Sequence, residues 1–139
     1  MGGSLTAGSM VPIFWLSLRR GARTGIEAGV VLGFVVMIIE PFLFHPVQVL
    51  LDYLIPFGVL GLAGLFRTRP LVGVAVGMSG RFISHFLSGI IFAEIYIPAG
   101  EHPVIYSVLY NSTYLIPELI ISSVIIYLLA KRKLLEIYL

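Results

Sequence analysis

The chain predicts an all-α integral membrane protein, a bundle of transmembrane helices forming a single domain over residues 1–139. Three observations carry this reading. Of 139 residues, 58% are hydrophobic and 12% charged, with a mean hydropathy of +1.02, whereas an ordinary soluble domain is about 25% charged. Eight of the nine basic residues fall in three clusters: Arg19, Arg20 and Arg23; Arg67 and Arg69; Lys131, Arg132 and Lys133. Between the clusters run two long apolar stretches, 24–66 and 70–130, each broken near its middle by proline, histidine and glutamate. A chain this apolar could not cover a water-facing surface, which excludes a soluble globular enzyme. At about 20 apolar residues per span, no room is left for a second, aqueous domain. A membrane β-barrel would need alternating segments of about ten residues, and the sequence has none.

Each apolar stretch is long enough to cross the bilayer and return. The expected spans are 5–18, 21–40, 46–66, 71–94 and 104–130. All three basic clusters then lie on one side, and the turns at 40–46 and 98–103 on the other. Short basic loops stay cytoplasmic, so the basic loops and the C-terminus are expected inside a multi-pass protein of the cell membrane. The opening Met1, Gly2, Gly3, Ser4 has no basic start and no small-residue cleavage site, so it does not read as a signal peptide. Five spans with the C-terminus inside put the N-terminus outside. The expectation is that a further N-terminal helix is absent from this chain, with a genuine N-out start as the alternative.

In the second span Gly21, Gly25, Gly29 and Gly33 recur every four residues and form a smooth ribbon. Such faces let helices approach closely in lipid. Internal packing is the favoured reading; a sliding surface for a partner subunit is the other. Gly58, Gly61 and Gly64 crowd the third span, and Gly73 and Gly77 the fourth. Pro56 and Pro117 predict kinks in the third and last spans.

The informative residues are the polar ones inside the spans. A charge at the bilayer centre costs about 2.5–3.5 kcal/mol on insertion scales, so it usually faces a cavity or a partner. Counted from the basic clusters at about 1.5 Å per residue, Arg81 lies about 18 Å deep, Glu118 about 20 Å, Asp52 about 22 Å and His85 about 24 Å. Tyr106 and Asn111 fall nearer the outer surface. Arg81, His85 and Gly89 share one helix face at i, i+4 and i+8. Asp52 and Tyr53 place a carboxylate beside an aromatic ring, and Tyr106, Tyr110, Asn111 and Tyr114 line the start of the last span. A carboxylate with aromatic rings suits a flat, cationic ring system, through ion pairing and cation–π contact. The bland alternative is polar glue between helices, with Arg81 merely paired to Glu118 or Asp52. The outer tyrosines have their own bland role as interfacial anchors. Glu27 is expected to pair with Arg23, and His45 and His102 to be solvated in the outer turns.

Other chemistry is missing. With no cysteine there is no disulfide, iron–sulfur cluster or thiolate zinc site. There is no GxxxxGK[ST] phosphate loop, HExxH or GxSxG motif, and a net charge of +2 is too small for a nucleic-acid binder. The chain is therefore expected not to be an enzyme and to carry no cofactor and no metal. A membrane-embedded enzyme using Asp52 and His85, or a structural subunit of a larger complex, are the rivals from other classes.

Five strings taken together resemble the thiamin-specific S component of energy-coupling factor (ECF) transporters: Ser17–Gly21, His45–Tyr53, Gly61–Arg67, Arg81–Phe92 and Tyr106–Asn111. The resemblance runs in order from about Leu5 to Lys133. It implies a six-helix subunit that binds thiamin with high affinity from outside, working with a T component and two cytoplasmic ATPases. Its ligand positions fall on Asp52, Tyr53, Arg81, His85, Gly89, Tyr106 and Asn111, the carboxylate and rings holding the aminopyrimidine and thiazolium. By this resemblance the family's first helix, which carries the small-residue motif that docks on the T component, is expected to be the one absent here. Ala93 and Leu32 also stand where family members carry tryptophan, which leaves another small vitamin or a thiamin precursor as the alternative ligand.

Overall fold

The computed structural model describes residues 10–132. Among them every regular element is helical: α1 (Val11–Arg20), α2 (Ala22–Ile39), α3 (Pro46–Phe66), α4 (Pro70–Ile91), the single-turn α5 (Ala93–Tyr96) and α6 (Pro103–Lys131). Four of these, α2, α3, α4 and α6, are long and apolar enough to cross a membrane. The expected spans agree with them to within a few residues. Of the expected first span 5–18, residues 5–9 lie outside the described residues, as do Met1 to Ser4 and Lys133; the described part continues to Arg20.

Gly21 joins α1 to α2 with φ +102°, a conformation that suits a residue without Cβ. Arg67 fixes this corner: its Nε donates to the Leu18 carbonyl at 2.9 Å and its guanidinium also donates to the Arg19 carbonyl. Both are terminal carbonyls that the helix itself leaves without a partner. Arg19 lies over the Trp15 ring, 4.4 Å from its centroid.

The third span is apolar throughout but is not one regular helix. It is α over Pro46–Val49, π over Leu50–Leu54, α over Ile55–Gly58 and 3₁₀ over Val59–Phe66. Pro56 is the physical reason for the wide turn. It has no N–H to give the Asp52 carbonyl four residues back, and its ring would crowd that carbonyl. The Ile55 N–H bonds instead to Leu50, five residues back, a π-turn that re-aims Asp52 and Tyr53. In α6 the helix runs on through Pro117.

The glycines settle which packing they serve. In a 3₁₀ segment residues three apart eclipse one another, so Gly61 and Gly64 form a straight seam just beyond Gly58. Opposite runs the four-residue repeat of α2. A methyl on Gly61 would overlap the backbone of Gly25 and Ile26, one on Gly64 that of Ala22, one on Gly29 the Phe57 carbonyl, and one on Gly33 the Tyr53 carbonyl. At Gly29 and Gly33 the ribbon of α2 is therefore filled by α3 of the same chain, and at Gly25 by Ser17 of α1 together with Gly61 of α3, while a methyl on Gly21 would meet nothing within 4 Å. Gly61→Ala must push two backbones apart, and overpacking of this kind should lower stability by about 1–2 kcal/mol in thermal unfolding of the detergent-solubilised protein. An unchanged melting temperature would contradict the contact.

Phe14, Leu18, Leu60, Ala63, Val74, Met78, Leu115 and Ile126 make the apolar core where α1, α3, α4 and α6 meet. Ile38, Leu65, Leu109 and Ile120 are exposed on the outside of the bundle, as lipid-facing positions must be. At one end the first turn meets α5 and the end of α4, which lead into the second: Phe44 sits edge-on to Phe92 at 5.3 Å, and Phe42 and Phe44 flank Tyr96 at 5.8 and 5.6 Å. The basic clusters meet at the other, where Arg67 binds the end of α1 and Arg69 shares a groove with Tyr127 and Ala130.

Candidate functional site

Below the aromatic end, polar side chains from α3, α4 and α6 converge. Asp52 lies in the π-turn of α3. Its Oδ2 accepts from Gln48 Nε2 at 2.9 Å, one helical turn before it, and from the Tyr96 hydroxyl of α5. Its Oδ1 faces His85 Nδ1 at 3.5 Å. Gln48 is fully buried and also donates to the Phe42 carbonyl at 2.9 Å, tying the carboxylate to the outer turn. Tyr53 is directed elsewhere. Its hydroxyl donates to the Glu40 carbonyl at 2.8 Å and accepts from the Phe42 N–H at 2.9 Å, so it braces the outer turn. Successive helix residues point about 100° apart, so Asp52 and Tyr53 reach different surroundings.

On α4 the i, i+4 spacing brings Arg81 Nε to His85 Nε2 at 3.4 Å. The guanidinium faces Glu118 Oε2 at 3.5 Å, lies 4.9 Å from the Phe57 ring centroid and touches the Met10 sulfur. Of the two partners the sequence offered Arg81, the structure gives it Glu118. Gly89 is buried on the same helix. Glu27 pairs with Arg23 at 3.1 Å, as expected, and His45 and His102 are exposed.

On α6, Ser107, Asn111, Tyr114 and Glu118 are buried at three- and four-residue spacing, one stripe of the helix. Asn111 Nδ2 donates to the Ser107 carbonyl at 2.8 Å, and its Oδ1 accepts from the Tyr114 hydroxyl at 2.6 Å. The Tyr114 ring stands edge-on to His85 at 6.1 Å, which links Asn111 to the α4 face. Tyr106 stacks on Tyr110 at 6.1 Å, and Tyr110 meets Tyr114 at 5.9 Å.

Of the seven expected residues, Asp52, Arg81 and His85 are thus in direct sequence, and Asn111 and Tyr106 join through Tyr114 and Tyr110. Tyr53 is set aside against the turn. Gln48 and Tyr96 were missed. The i, i+4 relation of Gln48 to Asp52 could have flagged the first; nothing local announces Tyr96. Burial and then the neighbouring Asp52 carboxylate raise the Tyr96 phenol above its ordinary pKa, so it stays protonated and donates. Tyr96→Phe removes that donor and should cost about 1.5–3 kcal/mol in thermal unfolding, the range for a hydrogen bond to a charged group. Identical melting of the two proteins would show that the contact contributes nothing.

Fold and site together define a polytopic α-helical membrane protein that buries a mixed-charge polar cluster between its spans. The family model described as "Thiamine transporter protein (Thia_YuaJ)" matches residues 1–137. The chain is 34% identical over 145 residues to the thiamine transporter ThiT of Bacillus subtilis, covering 92% of this chain and 75% of that one. It is 28% identical over 122 residues to ThiT of Lacticaseibacillus paracasei, covering 73% of this chain and 61% of that one. A solved structure of ThiT from Listeria monocytogenes superposes with a TM-score of 0.82 at 20% identity, over 95% of this chain and 82% of that one, a likeness of fold. The chain belongs to the thiamine transporter protein family. The relatives are named as transporters, not enzymes.

Proposed function

We propose that this chain is a high-affinity thiamin-binding S component of an ECF-type transporter, a single transmembrane domain that captures thiamin from the extracellular side. In this reading the basic end faces the cytoplasm, following the positive-inside rule, and the aromatic end receives the vitamin. The observation that carries it is the Asp52 carboxylate, held by Gln48, Tyr96 and His85 beside the tyrosines of α6, in a chain of the thiamine transporter family. Thiamin carries a permanent thiazolium cation and a hydrogen-bonding aminopyrimidine. A carboxylate in low-dielectric surroundings attracts the cation far more strongly than it would in water. Asn111 and His85 offer polar edges to the pyrimidine, and Tyr106 and Tyr114 offer ring faces. Arg81 and Gly89 complete the α4 wall, and Tyr53 supports the turn above it.

Import against a gradient needs energy that this chain has no phosphate loop to supply, so a T component and two ATPases would provide it. The test is co-purification: extract the protein in mild detergent, denature it and identify the released small molecules by mass spectrometry. Thiamin at near-stoichiometric amount is the expected result. A different vitamin, or a protein that neither retains nor rebinds thiamin, would overturn the assignment.

A further inference from the structure

The seven residues implied for the ligand include one carboxylate, Asp52, and one fixed cation, Arg81. Taken alone they cancel, a poor match for a monocation. Glu118 lies outside that set, is fully buried, and faces the Arg81 guanidinium at 3.5 Å. We propose that Glu118 is a specificity-determining positioning residue: by neutralising Arg81 it leaves the cluster net negative, so that the site selects a cationic ring ligand. This rests on the thiamin reading above.

The geometry supports the charge count. His85 Nε2 receives the Arg81 Nε–H, so that nitrogen carries no proton; the ring is neutral, with its proton on Nδ1 toward Asp52. The cluster then counts two carboxylates, Asp52 against His85 and Glu118 against Arg81, to one guanidinium. Among the described residues the other buried charged side chain is Arg19, at the opposite, basic end over Trp15. Arg81 is held by the Phe57 ring, the Met10 sulfur and His85 as well as by Glu118, so it stays close to its counter-ion. Arg81 and Glu118 are buried and the Asp52 side chain is only 17% exposed, so salt screens the leftover negative charge much less than at the surface.

The experiment separates charge from shape. Purified wild type, Glu118→Gln and Glu118→Asp are titrated with thiamin and with its neutral isostere, in which an uncharged thiophene replaces the thiazolium. Through an effective dielectric of ~20 and over ~10 Å, one unit charge changes affinity about tenfold. Wild type should therefore prefer thiamin by at least that factor. Glu118→Gln should lose about tenfold for thiamin but stay within about twofold for the isostere, and Glu118→Asp should keep the preference. Equal loss for both ligands, or no loss for either, makes Glu118 a structural partner only and overturns the proposal. If Glu118→Gln does not fold, the wild-type ratio decides, because equal binding of thiamin and isostere also overturns it. A wild type that binds no thiamin at all is a different result, the failure of the ligand assignment itself.

Discussion

Arg81→Met is expected to destabilise the folded protein by about 3–5 kcal/mol, the usual cost of removing one partner of a buried ion pair. The magnitude comes from Glu118, not from the lost attraction. Both side chains are buried, Arg81 at 6% and Glu118 at 0% relative exposure, so the substitution strands a carboxylate in an apolar interior without its cation. Methionine fills most of the space left by the arginine stem, which isolates charge from packing. The double variant Arg81→Met, Glu118→Leu should recover most of the loss, since a buried pair replaced by apolar residues of similar volume is often neutral in stability. Thermal unfolding of the detergent-solubilised variants measures both. A single variant as stable as wild type would mean that the pair is not buried together.

Asp52→Asn should weaken thiamin binding by about 1.5–3 kcal/mol, the range for a hydrogen bond to a charged group. Asparagine keeps the shape of the side chain and an oxygen for the Tyr96 hydroxyl, so the bundle should hold while the charge is lost. The His85 contact is the weak point, because an amide oxygen kept toward the donors Gln48 and Tyr96 turns its NH2 toward the His85 Nδ1 proton, and that contact is lost. Calorimetry should show an affinity lower by roughly one to two orders of magnitude, with insertion and melting close to wild type. Unchanged affinity would remove Asp52 from the ligand's contacts.

Much of this architecture is written in residue order because a bilayer imposes strong rules. Span length follows from bilayer thickness, and the clustered arginines fixed which turns share an end; the contacts of Phe44 with Phe92 and of Arg67 with α1 agree. The α4 face was legible too, since Arg81 and His85 need only the helical repeat to meet. Other features depend on distant partners. Glycine spacing shows that a helix can be approached, but not that α3 approaches α2. The π and 3₁₀ turns of α3 answer to Pro56 and to that seam together. Tyr96 reaches Asp52 because the chain breaks at Phe92 and folds back through α5, a long-range event with no periodic signal. Asp52 and Tyr53 are adjacent in sequence yet meet different surroundings, since neighbours on a helix face different ways.

The most direct measurement is an experimental structure of the protein purified in saturating thiamin. The expected result is thiamin density bounded by Asp52, His85 and Asn111, with the thiazolium nearer the carboxylate than the guanidinium. Thiamin bound at another place, with Asp52 still engaged by His85, Gln48 and Tyr96 alone, would contradict it.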